Sequence, residues 1–108
     1  MNLKDVIENL SLLPEDGTVF AERINGEFRA DSEAQVVEIT DEELKQQTSE
    51  AATKKAPGKD YFLEVFIIQE VLEGWRKHHG GKTPPIDAAL ESVIYYAEND
   101  AYPESFFG

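Results

Sequence analysis

The chain has 108 residues, 41% of them hydrophobic, which is enough apolar material for one domain around one core. It has no cysteine, so disulfides and thiolate chemistry are excluded. Twenty-two Asp and Glu residues against ten Lys and Arg residues give a net charge of −12, which disfavours binding to nucleic-acid phosphates and to anionic membranes.

The N-terminal segment predicts a short helix and no targeting signal. Apolar residues recur at positions 3, 6, 7 and 10, a helical spacing, and Asn2 precedes them as a candidate N-cap. A secretory signal would need an unbroken apolar stretch, and the apolar run at residues 65–68 is far too short to span a membrane. We therefore expect a cytoplasmic protein.

The following segment predicts β-strands. Residues 18–24 form the first strand, and Asn25-Gly26 is typical of a two-residue hairpin turn that would lead into a short return strand at residues 27–30. Residues 34–39 are rich in β-branched side chains and predict another strand. Thr40 and Glu43 then have the spacing of a capping box, which predicts a short exposed helix before a mobile loop at about residues 50–60.

The second half predicts one more strand and two longer helices. Residues 61–66 alternate as a strand in which Phe62 and Leu63 face opposite sides. From residue 67 the apolar period becomes helical, with Trp75 on the apolar face, and Gly80-Gly81 ends this helix. The last helix follows two prolines and is predicted to end near Asn99.

These elements give the order α-β-β-β-(α)-β-α-α, with the bracketed helix the short exposed one. Mixed elements without regular β-α alternation indicate an α+β fold, with a small antiparallel sheet of three to four strands and helices packed mainly on one face. We expect a single domain over residues 1–108 that ends in a C-terminal tail at residues 102–108.

His78 and His79 form the one histidine cluster of the sequence. Adjacent helical residues point about 100° apart, so the two rings are poorly placed to share a metal ion. With Arg76 and Lys77 they are typical of a cationic helix C-terminus, where positive charge complements the helix dipole. We therefore predict neither a catalytic residue nor a metal site nor a bound cofactor.

The last quarter of the chain is acidic and aromatic. Residues 83–108 contain five acidic residues and no Lys or Arg. Aromatic side chains within an acidic surface are suited to binding a basic protein. The predicted partner-binding residues are Asp87, Glu91, Tyr95, Tyr96, Glu98, Asp100 and Tyr102. The alternative is that these acids only confer solubility and that the tail folds back over the helix pair.

Two stretches carry a resemblance: Ile68-Gln69-Glu70-Val71 in the first long helix, and residues 95–102, which read Tyr-Tyr-Ala-Glu-Asn-Asp-Ala-Tyr. In these the chain resembles a family of small, acidic, uncharacterised bacterial proteins without an established activity. The resemblance implies no catalytic residue. By analogy with small acidic proteins of this style, it suggests an immunity or inhibitor protein.

Three functional hypotheses follow. The first is a non-enzymatic interaction domain that binds another, basic protein through the acidic and aromatic residues named above. The second is an enzyme or small-molecule binder with a pocket between sheet and helices, in which His78 or His79 titrates. The third is a homo-oligomeric structural protein that buries Tyr96, Phe106 and Phe107 against a second copy.

Overall fold

The computed structural model describes residues 1–38 and 58–107, and over these ranges the order of elements is α-β-β-β-α-α. The elements are α1 (Leu3–Glu8), β1 (Gly17–Ala21), β2 (Ala34–Glu38), β3 (Asp60–Glu64), α2 (Val65–His78) and α3 (Ile86–Asn99), with short 3-10 helices at Leu10–Leu12 and Glu104–Phe107. The predicted α+β class is confirmed. The helix predicted from Thr40, and the predicted loop up to residue 57, lie outside the described residues. No helix within the described ranges is long and apolar enough to cross a membrane.

A reciprocal capping box starts α1. The side chain of Asn2 accepts a hydrogen bond from the backbone N–H of Asp5 at 2.9 Å, and the Asp5 carboxylate accepts one from the backbone N–H of Asn2 at 3.0 Å. Two amide groups that a helix leaves unpaired are thereby satisfied, which confirms Asn2 as the N-cap.

The sheet has the antiparallel order β2-β1-β3, so β1 is its central strand and all five of its residues are buried. Asn25 and Gly26 have φ values of 53° and 83°, and Ile24 bridges to Glu27, as the predicted hairpin turn requires. No return strand forms at residues 27–30. Phe28 instead enters the core edge-on to Phe62, with ring centroids 4.9 Å apart, and β2 takes the place beside β1.

A β-bulge in β3 changes the predicted alternation. Val19 pairs with Leu63 and Phe20 pairs with Tyr61, so Phe62 is an extra residue without a partner on β1. Both Phe62 and Leu63 consequently belong to the hydrophobic core, whereas strict alternation predicted opposite faces.

The core lies between one face of the sheet and the three helices. Val19 of β1 packs in one cluster with residues of α1, α2 and α3, which confirms that the helices cover mainly one face. Trp75 is part of this cluster. Helix α2 follows β3 directly and ends before Gly80 and Gly81, whose φ values of 67° and 84° are those of a helix stop.

Candidate interaction surface on the last helix and the C-terminal turn

Four predicted partner-binding residues form one row along α3, which we call the α3 stripe: Asp87, Glu91, Tyr95 and Glu98. Their spacing of four, four and three residues places them on one side of the helix, and all four are exposed. Asp87 lies in the first turn, where a negative charge is favourable against the helix dipole. Tyr95 is 41% exposed. Neither the Asp87 nor the Tyr95 side chain has a hydrogen-bond or ion-pair partner among the described residues.

Glu98, at the other end of the α3 stripe, is already paired with other residues of the chain. Its carboxylate lies 3.5 Å from the guanidinium of Arg23 and accepts a hydrogen bond from the backbone N–H of Phe28 at 3.3 Å. Arg23 also contacts Asp60 at 3.2 Å and lies 4.1 Å above the Phe28 ring. The unfavourable position of an acid near a helix C-terminus is thus compensated by a cation and an amide.

Asp100 is the C-cap of α3. Its φ of 53° and ψ of 35° are left-handed, a conformation that Asp tolerates better than most residues, and its N–H donates to the Tyr96 carbonyl at 2.8 Å. The prediction that the helix ends near Asn99 is confirmed. Asp100 is exposed.

The C-terminal residues fold back over the helix pair. Their rings form an aromatic cluster with rings of the two long helices; the cluster consists of His78, Tyr96, Tyr102, Phe106 and Phe107. Tyr102 stacks on Phe106 with centroids 4.0 Å apart and planes 10° apart, and its centroid is 5.2 Å from that of Tyr96. The Ser105 hydroxyl donates to the Glu91 carboxylate at 2.9 Å, which ties the turn to the α3 stripe.

The aromatic cluster has a buried base and an exposed rim. Phe106 is 2% exposed, whereas Phe107 is 57% exposed and stands edge-on to Phe106. Phe106 is therefore already covered within the chain, whereas Phe107 is more exposed than Tyr102, which is 36% exposed. Burial, together with the neighbouring Tyr96 and the negative charge of Glu70, raises the pKa of Tyr102 above its ordinary value of 10.0.

Both histidines pack against aromatic rings. The His79 ring stacks on Trp75 with centroids 3.6 Å apart, and its Nδ1 lies 2.8 Å from the Trp75 carbonyl oxygen. His78 is exposed and lies against Phe106 and Phe107, at centroid distances of 5.4 and 5.1 Å. Over residues 1–38 and 58–107, no three His, Asp or Glu side chains are grouped so that they could hold a metal ion.

A cleft of about 520 Å³ opens between α1, α2 and the start of α3. Neither histidine lines it, and its walls are helical rather than part of the sheet. The lining residues are Ile7, Glu8, Leu10, Ser11, Gln69, Leu72, Glu73, Arg76, Thr83, Pro84, Ile86 and Ala89.

Sequence reasoning did not predict the contacts of Arg23, the packing of Phe106 against Gly74, or this cleft. Gly74, in the middle of a helix, is a signal for a close approach of another chain segment, and Phe106 packs there. Nothing in the spacing of the sequence brings Arg23 to Glu98, because the two residues are 75 positions apart and meet only through the tertiary fold.

Comparison with known proteins places the chain in a family. No similar protein was found among curated proteins or among solved structures. Residues 1–104 match the family described as "Domain of unknown function (DUF7716)". The match agrees with the resemblance to a family without an established activity, and the chain belongs to this family.

Proposed function

We propose that this chain is a non-enzymatic interaction domain of the bacterial cytoplasm that binds a basic protein, in the manner of an immunity or inhibitor protein. The observation that carries the proposal is the α3 stripe: acidic and aromatic side chains are exposed in a row, and Asp87 and Tyr95 have no partner among the described residues.

Electrostatics supports this choice of partner. A net charge of −12 attracts a basic protein over a distance and speeds its encounter, an effect that added salt weakens. Exposed tyrosine then supplies apolar contact area at a low cost in side-chain entropy. Phe107 adds an exposed ring on the C-terminal turn, which the hydrogen bond from Ser105 to Glu91 joins to the α3 stripe.

The test is an affinity capture from lysate of the source cells at low and at high salt, with the retained proteins identified by mass spectrometry. We expect a basic protein that is retained at low salt and released at high salt. If no protein is retained at either salt concentration, the interaction proposal is wrong, and light scattering then tests self-association.

The structure guides the choice of variants. Charge reversal at Glu98 would also break its contacts with Arg23 and Phe28, so Asp87→Lys combined with Tyr95→Ala is the sharper test of the surface. The matched control is Glu15→Lys, which makes the same change in charge at an exposed residue before β1. We expect the α3 variant to weaken the captured complex at least tenfold and the control to weaken it much less; equal losses would contradict the α3 assignment.

A further inference from the structure

The cleft between the three helices has the size and lining of a small-ligand site. Its volume of about 520 Å³ lies within the range of roughly 300–1,000 Å³ that is typical of ligand pockets. Its apolar walls come from three separate elements, with Ile7 on α1, Leu72 on α2 and Ile86 on α3. A ligand with an apolar body would therefore be enclosed from three sides.

The charged side chains of the cleft differ in how far they are already paired. The guanidinium of Arg76 lies 3.2 Å from the carboxylate of Glu73, so an anionic ligand would compete with Glu73 for this cation. Glu8, at the end of α1, has no ion pair or hydrogen bond from its side chain among the residues the structure describes. The amide of Gln69 is half-buried and likewise has no such partner there. The cleft thus offers one unpaired carboxylate and one amide beside an apolar surface.

We propose that this cleft binds a small organic cation, an apolar body that carries a protonated amine, with the ammonium group at Glu8. An ammonium group donates to a carboxylate and to an amide oxygen, which are the acceptors present. A carboxylate ligand would meet Glu8 and Glu73 as like charges and would have to displace Glu73 from Arg76. The potential of a molecule with a net charge of −12 also favours a cation over an anion.

This site is separate from the surface proposed for protein binding. On α3 the cleft is lined by Ile86 and Ala89, whereas the α3 stripe consists of Asp87, Glu91, Tyr95 and Glu98, none of which lines the cleft. The two proposals can therefore fail or succeed independently.

The experiment uses three probes with similar apolar bodies: 2-phenylethylamine, 2-phenylethanol and 3-phenylpropionate. Each is titrated into the ¹⁵N-labelled full chain, and amide chemical shifts report where it binds. We expect the amine to shift amides of the cleft residues, the alcohol to bind there more weakly, and the acid to bind least. No shift at the cleft with the amine, or equal binding of amine and acid, would overturn the proposal.

Two variants locate the site. Glu8→Gln should weaken amine binding about fivefold, the worth of a well-placed exposed ion pair, and should leave binding of the alcohol unchanged. Glu15→Gln makes the same change in net charge at an exposed residue that does not line the cleft, and it should leave both unchanged. Ser11→Trp places a bulky ring at an exposed lining position and should abolish binding of all three probes. An equal loss with Glu8→Gln and Glu15→Gln would show that net charge alone attracts the amine, which contradicts the site.

Discussion

At residue 74 the fold depends on the absence of a side chain. A Cβ atom added to Gly74 would stand 2.9 Å from Cζ of Phe106, a distance that the buried ring can relieve only by moving. The ring in turn supports Tyr102 and Phe107, so one glycine in α2 positions the whole aromatic cluster. Helix propensity alone would favour alanine at this position by about 1 kcal/mol.

We expect Gly74→Ala to lower the free energy of unfolding by about 1 kcal/mol, because overpacking against Phe106 outweighs the gain in helix propensity. In a Phe106→Ala background the same substitution should raise the free energy of unfolding, since the clash is gone. Chemical denaturation of the four proteins of this double-mutant cycle measures both effects. The same sign in both backgrounds would contradict the packing argument.

Tyr61 is a second residue with a distinct environment. It is 43% exposed, but its hydroxyl donates to the Glu64 carboxylate at 2.8 Å, and its ring stands edge-on to the buried Phe20. Burial first, and then the hydrogen bond and negative charge of Glu64, raise the pKa of Tyr61 well above its ordinary value of 10.0.

This shift predicts how stability depends on pH. The folded state holds the Tyr61 proton more tightly than the unfolded chain does, so its contribution is fully present below about pH 10 and is lost as pH rises through the raised pKa of the folded state. Between about pH 9 and about pH 11, the wild-type chain should therefore lose more stability than Tyr61→Phe, which has no proton to lose. Denaturant titrations at both pH values test this, and parallel losses would refute the assignment.

At the scale of elements, Arg23 joins three parts of the fold. It follows β1, contacts Asp60 at the start of β3 and Glu98 near the end of α3, and covers the Phe28 ring. Hydrophobic periodicity predicted these elements separately, but this side chain fixes how the C-terminal half of α3 sits on the sheet.

We expect Arg23→Ala to lower the free energy of unfolding by roughly 1–2 kcal/mol, the sum of two partly exposed ion pairs and one cation–π contact. Arg29→Ala is the matched control, since its ion pair reaches only to Glu27, two residues away, and its loss should cost less than about 0.5 kcal/mol. Urea denaturation compares the two variants. Equal costs would show that Arg23 has no role in joining the elements.

At the scale of the whole molecule, the main effect on stability considered is that of the net charge. The excess of twelve negative charges opposes compaction, and salt screens that repulsion: the Debye length falls from about 30 Å at about 0.01 M to about 8 Å at about 0.15 M. We expect the melting temperature to rise by a few degrees over this interval. The rise should be smaller in the double variant Asp87→Asn, Glu91→Gln. A melting temperature that falls with salt would mean that attractive pairs such as Arg23 with Glu98 outweigh the repulsion.

The sequence by itself determined the α+β class, the N-cap at Asn2, the hairpin turn at Asn25-Gly26 and the C-terminal ends of both long helices. These features depend on local backbone geometry and on apolar periodicity, which adjacent residues encode. It also indicated the acidic row on α3, because helical spacing alone places Asp87, Glu91 and Tyr95 on one side.

Only the tertiary structure decided what depends on contacts between distant segments. Three features join residues that no local pattern connects. They are the bulge at Phe62, the packing of Phe106 against Gly74 and the pairing of Arg23 with Glu98. The same holds for the cleft, whose walls come from three helices. Packing selects among locally acceptable alternatives, as when Phe28 enters the core instead of continuing a strand, because burying an aromatic ring stabilises the chain more than a short edge strand would.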